Sequence, residues 1–421
     1  MRALKSLLCI VGGVVLFCFA PAALSSGAPA ETLANASPAA LAPQGSLVII
    51  GGALRGDNAD VWQRIVALAG GPGARIAVFP SAAADPNSAG QGIIKRLNQY
   101  GAAAFLVPVA VKLADIDYRQ QADDPQLANA VRQAGGVYFA GGDQARITQA
   151  LLRVDGTRSA TLQAVWEVYR RGGVVAGSSA GAAIMSSTMF NAPRTVLATL
   201  KQGVTEGREI APGLGFIGDD VFIDQHMLTR GRFARMIPAM LKKGYQIGLG
   251  IDENTAMVVN SAREVEIIGA KGALLIDLSR ATTDTARGGF NVANVTISYL
   301  DRGDHYNLAT RRYTPAPDKI DGKLDPQHPA TRVPVFSSDI LAANAVIDLM
   351  ARLIDNSQQE ALGLAFGSPA EAEPDLGFEF KFSKTADSVG YQSSAADEYS
   401  IFNLRLDIRP VHMQMPLYEY K

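Results

Sequence analysis

The sequence predicts an α/β protein with three layers, in which helices cover both faces of a mostly parallel sheet. Short apolar segments recur along the first half of the chain, helix-forming stretches separate them, and the apolar runs show no polar alternation. Continuous apolar strands of this kind are typical of parallel sheets that are buried on both faces. The five segments are GSLVIIGG (45–52), ARIAVFPSA (74–82), AAFLVPVA (103–110), GGVYFAGG (135–142) and GGVVAGSSAG (172–181).

The intervening stretches predict helices over residues 60–69, 89–100, 125–133 and 159–170. Glycine pairs follow three of the strands: Gly51 with Gly52, Gly141 with Gly142, and Gly177 with Gly181. Glycine permits positive φ and close approach of another chain. Reactive groups of a parallel sheet gather at the carboxyl ends of its strands. We therefore expect the functional site beside these glycines.

Composition excludes some functions. The chain has 421 residues and a net charge of -1, with 39 basic and 40 acidic side chains. A balanced charge without long basic runs does not suggest a nucleic-acid or other polyanion partner. No His-rich or Cys-rich ligand set is present, so we expect no metal and no other cofactor.

The N-terminus resembles a secretory signal peptide over residues 1–30, with Arg2 and Lys5 before an apolar run at 7–19. Both cysteines, Cys9 and Cys18, lie within it, so the mature chain would contain none. We expect a secreted or periplasmic bacterial protein without membrane attachment; an uncleaved anchor is the alternative. Residues 31–44 are rich in Ala, Pro and Ser and predict a flexible linker.

Ser179 lies at the centre of a Gly-x-Ser-x-Gly pattern where a strand should become a helix. That context is a nucleophile elbow, which exposes the hydroxyl beside the N–H groups of a helix N-terminus. An ordinary tight turn is the alternative. A serine nucleophile needs a base, and His226 is the candidate. An alternation of apolar residues ends there in the sequence DQH, and three arginines follow within nine residues. A solvated basic helix face is the alternative there.

A carboxylate should orient the histidine, and Asp252 and Glu253 follow another short apolar run. The order serine, histidine, acid differs from that of ordinary α/β-hydrolases. Class I glutamine amidotransferases have a similar strand, elbow and helix, but with cysteine as nucleophile.

Four motifs in order resemble those of the cyanophycinases, which are dipeptidase E-like serine peptidases: FAGGDQ (139–144), AGSSAGA (176–182), DQHMLTRGRFAR (224–235) and GIDENTA (250–256). The resemblance implies Ser179 as nucleophile, His226 as base and Glu253 as its orienting acid, with Asp252 as the second choice. It also implies an oxyanion hole from the N–H groups of Ala180 and of Gly142 or Asp143. The implied substrate-binding side chains are Gln144, Asp224, Gln225, Arg230, Arg232 and Arg235.

The family's substrate is cyanophycin, a polyaspartate backbone that carries an arginine on each side-chain carboxyl. The resemblance implies cleavage of that backbone to β-aspartyl-arginine dipeptides through an acyl-enzyme. An exported aspartyl dipeptidase or isopeptidase and a non-catalytic polyacid-binding protein are the alternatives.

The resemblance spans residues 45–313, which we expect to form the catalytic domain. Residues 314–421 predict a small α+β extension of uncertain role, with a helix over 337–356 and strands at 377–383 and 399–411. This extension is a candidate for holding a homodimer, for covering a sheet edge or for gripping the insoluble substrate.

Overall fold

A computed structural model describes residues 43–286, 288–394, 398–414, 416–417 and 420–421. The predicted signal peptide and nearly all of the predicted linker lie outside the described residues.

The strands, in chain order, are β1 (Ser46–Ile50), β2 (Arg75–Phe79), β3 (Ala103–Leu106), β4 (Gly136–Phe139), β5 (Val174–Ser178), β6 (Thr188–Phe190), β7 (Ile210–Pro212), β8 (Val221–Gln225), β9 (Ile247–Ile251), β10 (Thr255–Val259), β11 (Glu264–Gly269), β12 (Ala273–Asp277), β13 (Val292–Leu300), β14 (His305–Asn307), β15 (Arg312–Thr314), β16 (Val335–Ser337), β17 (Glu360–Ala365), β18 (Leu376–Ser383), β19 (Val389–Gln392) and β20 (Tyr399–His412).

The helices are α1 (Ala59–Leu68), α2 (Pro86–Gln99), α3 (Tyr118–Ala122), α4 (Pro125–Arg132), α5 (Gln144–Leu151), α6 (Ala160–Arg170), α7 (Ala180–Ala183), α8 (Val196–Gln202), α9 (Phe233–Lys243) and α10 (Ala345–Ile354), with a 3-10 helix at Pro317–Gly322.

The first sheet has the strand order β15-β14-β11-β10-β1-β5-β4-β2-β3. The five neighbouring strands β1, β5, β4, β2 and β3 are parallel to one another. They coincide with the five predicted apolar segments. Apolar side chains of α1 and α2 pack on one face, and those of α4, α5 and α6 pack on the other. The α/β class with helices on both faces is thus confirmed. The remaining strands of this sheet are antiparallel.

The four predicted helices correspond to α1, α2, α4 and α6. The residue just before each helix caps it, because its side chain accepts a hydrogen bond from a backbone N–H of the first turn. These residues are Asn58, Asp85, Asp124 and Ser159. Such caps satisfy N–H groups that have no partner within the helix. None of the helices in the described ranges is long and apolar enough to span a bilayer.

A second sheet, which the sequence did not predict, has the order β16-β17-β18-β20-β13-β12-β9-β8, and β19 also pairs with β20. Most of its pairings are antiparallel, but β16 is parallel to β17, and β8 is parallel to β9. The last two strands, β8 and β9, lie at one edge of the sheet. These two strands lead into His226 and into Asp252 and Glu253.

The segment 314–421 contains the predicted helix as α10 and the two predicted strands as β18 and β20. It differs from a separate extension, because β20 pairs with β13 from the predicted catalytic domain. Apolar side chains from both segments, such as Ile297 and Leu406, form one core cluster. The physical reason is that β12 pairs with one edge of β13 and leaves the other edge for β20.

Candidate active site

Ser179 lies between β5 and α7 in a conformation that few residues adopt. Its φ is 53° and its ψ is -106°, a strained combination for a residue with a side chain. A Cβ on Gly177 would lie 2.2 Å from the oxygen of Gly181, and a Cβ on Gly181 would lie 2.4 Å from the oxygen of Phe139. Both glycines of the pattern are therefore required by close backbone packing around the turn.

His226 reaches Ser179 from the end of β8. Its Nε2 lies 2.8 Å from Ser179 Oγ, and its backbone N–H donates to the oxygen of Gly51. A Cβ on Gly52 would lie 2.2 Å from His226 Cε1. The first glycine pair thus leaves the space that the imidazole occupies.

Glu253 is the carboxylate in contact with this imidazole. Its Oε1 lies 2.5 Å from His226 Nδ1. Asp252 is fully buried and instead accepts the N–H groups of Leu228 and Thr229 and pairs with Lys271 at 2.8 Å. Hydroxyl, imidazole and the Glu253 carboxylate therefore form a continuous hydrogen-bonded line, and Asp252 fixes the turn that follows the histidine.

The surroundings of His226 favour its neutral form. Burial lowers the pKa of the imidazole, and the nearby charges of Arg230 and Arg232 lower it further. The hydrogen bond to Glu253 raises the pKa but does not offset these effects. At neutral pH, Nε2 can thus accept a proton from Ser179.

Backbone N–H groups adjoin the serine on two sides. Ala180 is the first residue of α7, where N–H groups have no partner within the helix. Gly141 packs against the serine, since its Cβ would lie 3.3 Å from Ser179 Cβ, and Gly142 follows with a φ of 142°. The N–H of Asp143 donates to the oxygen of Ala82 at 2.9 Å. Of the two predicted alternatives, Gly142 is therefore the better placed.

Comparison with known proteins identifies the family. The model of Peptidase family S51 matches residues 47–267, just over half of the chain. The chain belongs to peptidase family S51. The predicted serine-type peptidase and the resemblance to cyanophycinases are confirmed.

Cyanophycinases are among the relatives of this S51 peptidase. That of Trichormus variabilis is 31% identical over 289 residues, which cover 65% of this chain and 89% of the relative. That of Geminocystis herdmanii is 30% identical over 278 residues, which cover 63% and 95% respectively. A crystal structure of a peptidase from an acI-B1 Actinobacterium is 21% identical, with a TM-score of 0.44, over 63% of this chain and 98% of that one.

Two predicted substrate ligands of the S51 peptidase bind each other instead. Arg235 Nε and Nη2 donate to the two carboxylate oxygens of Asp224 at 2.7 and 2.8 Å. The guanidinium also stacks over the ring of Phe190 at 4.2 Å. Asp224 is 1% exposed and Arg235 is 4% exposed. The two charges of this buried pair are directed at each other, and substrate contact by Asp224 or Arg235 stays a prediction.

Gln225 and Gln144 are also engaged internally. Gln225 is buried, and both its backbone oxygen and its Oε1 accept from Arg232 Nη1, at 3.0 and 2.9 Å. Gln144 Nε2 donates to the oxygen of Phe190 at 2.7 Å. Gln225 is thus held against Arg232 and Gln144 against the backbone at the end of β6, and substrate contact by either glutamine stays a prediction.

The remaining arginines differ in exposure. Burial and the neighbouring arginines lower the pKa of Arg232 to about 10, and its side chain is 15% exposed. Arg230 is 52% exposed, and its Nε lies 3.9 Å from Glu253 Oε1. Arg230 is thus the predicted ligand that is most open to a substrate beside the serine.

Sequence reasoning missed Lys271, and the Gly-x-Ser-x-Gly pattern contains a second serine, Ser178, whose surroundings differ from those of Ser179. Lys271 lies in a turn before β12, and nothing in its local sequence indicates the pair with Asp252. The Ser178 hydroxyl forms a hydrogen bond with the buried Tyr138, whose pKa is raised by burial. Since successive strand residues point to opposite faces, strand periodicity could have separated Ser178 from Ser179.

The other three histidines lie beside acidic side chains outside this line of residues: His305 by Glu264, His328 by Asp325 and His412 by Asp375.

Proposed function

We propose that this protein is an exported peptidase that hydrolyses the polyaspartate backbone of cyanophycin through an acyl-enzyme on Ser179. The observation that carries the proposal is the hydrogen-bonded line from Ser179 through His226 to Glu253. The cyanophycinase relatives support the choice of substrate. The signal-like pattern in residues 1–30 supports export.

In the proposed reaction, Ser179 Oγ attacks a backbone carbonyl of the polymer while His226 Nε2 takes its proton. The N–H groups of Ala180 and Gly142 stabilise the oxyanion of the tetrahedral intermediate. His226 then protonates the leaving amine, and the C–N bond breaks to leave an ester on Ser179. Water, deprotonated by the same imidazole, hydrolyses the ester and restores the serine.

Glu253 holds the imidazole with Nε2 toward the serine and stabilises the imidazolium that forms. Arg230 lies beside Glu253 and supplies a positive charge that can pair with a carboxylate of the substrate. Each unit of cyanophycin carries the free carboxylate of its arginine branch, and a guanidinium can pair with a carboxylate through two hydrogen bonds. We propose that Arg230 binds one such branch next to the scissile bond.

The test is hydrolysis of cyanophycin granules by Ser179→Ala, with Ser178→Ala as the matched control. We expect Ser179→Ala to lower kcat by about 10⁴–10⁶-fold, as for other serines of catalytic triads. Ser178→Ala should retain activity within about tenfold, because its hydroxyl bonds Tyr138 and not the imidazole. Released dipeptide is measured by chromatography.

Full activity of Ser179→Ala would refute the mechanism. Wild-type enzyme that cleaves aspartyl dipeptides and leaves granules intact would refute the substrate and favour the dipeptidase alternative.

A further inference from the structure

A large groove lies away from the active site, between the edge strand β15 of the first sheet and the second sheet. Its volume is about 1050 Å³. We call it the distal groove. Its basic side chains are Arg280, Arg311, Lys323, Lys384 and Arg405.

The charge of the distal groove is mixed, with an excess of positive groups. Two carboxylates, Asp277 and Asp387, face the five basic side chains. Arg311 approaches Asp277 at 3.4 Å, whereas Arg280 lies 3.9 Å from Asp387 with 78% of its side chain exposed. Arg405 is already paired with the buried Asp407, so the exposed Arg280 and Lys323 are the cations most accessible to a ligand.

Two lysines strengthen this excess. Lys323 is exposed, and no ion pair within the described ranges involves it. Lys384 is half-buried and donates to the backbone oxygen of Asn356, and burial lowers the pKa of its ammonium. An anion in the groove would give both ammonium groups a partner of opposite charge.

The floor of the groove is a polar row on the second sheet. Asp277, Thr296 and Arg405 lie opposite one another on β12, β13 and β20. The next residues on those strands, such as Ile276 and Ile297, are buried in the apolar core. Three neighbouring strands thus present ligand-type side chains on one face and apolar side chains on the other.

The distal groove lies at the opposite end of β9 from the active site. Asp277 pairs with Ile247 at the start of β9, and Glu253 follows Ile251 at its end. At 3.3 Å per residue, the two sites are roughly 15–20 Å apart along this strand. An extended polymer of about ten residues can reach over 30 Å, so one chain is long enough to contact both sites.

We propose that the distal groove is a second binding site for the polymer, in which its basic side chains hold the carboxylates of successive arginine branches. The two groove carboxylates face the guanidinium groups of those branches. The proposal rests on the proposed function. Tethering a chain at this groove keeps its scissile bonds at high local concentration near Ser179, which matters for an insoluble substrate.

The test reverses two accessible charges, in the variant Lys323→Glu/Arg280→Glu. The matched control is Lys95→Glu/Arg352→Glu, which changes the same residue types and the same total charge at exposed positions outside the groove. Binding to cyanophycin granules is measured by co-sedimentation, with Ser179→Ala added to every protein so that no granule is degraded. Hydrolysis of soluble β-aspartyl-arginine oligomers is measured on the same charge variants with Ser179 intact.

We expect the groove variant to raise the granule Kd at least tenfold and the control variant to change it less than twofold. Hydrolysis of short oligomers should stay within twofold of wild type for both, which also shows that the variants are folded. Equal granule binding by both variants would overturn the second site. Failure of wild-type enzyme to hydrolyse oligomers would instead refute the proposed function.

Discussion

Replacing Arg235 with alanine tests whether the buried arginine stabilises the fold or binds substrate. The change removes two hydrogen bonds from an Asp224 carboxylate that is only 1% exposed, and it removes the cation over the ring of Phe190. Leaving one charge of a buried pair without its partner costs about 3–5 kcal/mol. Arg232 Nη1 lies 4.0 Å from Asp224 and can partly replace the lost charge, so we expect about 3 kcal/mol.

The assay is equilibrium urea unfolding followed by tryptophan fluorescence. Arg230→Ala is the control, because that side chain is 52% exposed and should change the free energy of unfolding by no more than about 0.5 kcal/mol. A double variant, Asp224→Leu/Arg235→Met, should recover most of the loss, since an apolar pair leaves no buried charge. If Arg235→Ala leaves the free energy of unfolding unchanged and lowers kcat/KM tenfold, this reasoning is refuted and Arg235 contacts the substrate.

Two further predictions concern the groups around His226. Glu253→Gln should lower kcat by about 10³–10⁴-fold, because the amide cannot stabilise the imidazolium. Asp252→Asn should mainly lower the free energy of unfolding. If Asp252→Asn lowers kcat more than Glu253→Gln in steady-state assays, the orienting acid is Asp252. Arg230→Gln should move the acid limb of the kcat/KM profile to higher pH. The reason is that the enzyme needs neutral His226, whose pKa is lowered by burial and by the charge of Arg230, so removing that charge raises the pKa. A limb that stays in place or moves to lower pH would contradict this account.

Local sequence was sufficient for the parallel half of the first sheet and for Ser179 and His226, whereas the choice of Glu253 over Asp252 needed the resemblance to cyanophycinases. The strands β1, β2, β4 and β5 are apolar over most of their length because both faces are buried, and that pattern is visible without a fold. Ser179 stands out through its flanking glycines, which the backbone packing requires.

The second sheet and the role of Arg235 depend on contacts distant in sequence. The pairing of β13 with β20 joins segments about 100 residues apart, and neither strand indicates its partner. Arg235 pairs across 11 residues, from a helix back to a strand. A signal did exist, because Arg235 is flanked by Phe233, Ala234, Met236 and Ile237, and a charge within such an apolar stretch indicates a buried pair.

The pairing of β20 with β13 also orders events during biosynthesis. Glu253 follows β9, which pairs with β12, and β12 pairs with β13, whose far edge is closed only by β20. The ribosome makes β20 about 100 residues after β13, so a nascent or truncated chain that does not reach Tyr399 lacks the strand that closes this sheet. Because that sheet carries the Glu253 carboxylate that contacts His226, we expect a chain truncated before Tyr399 to have little peptidase activity.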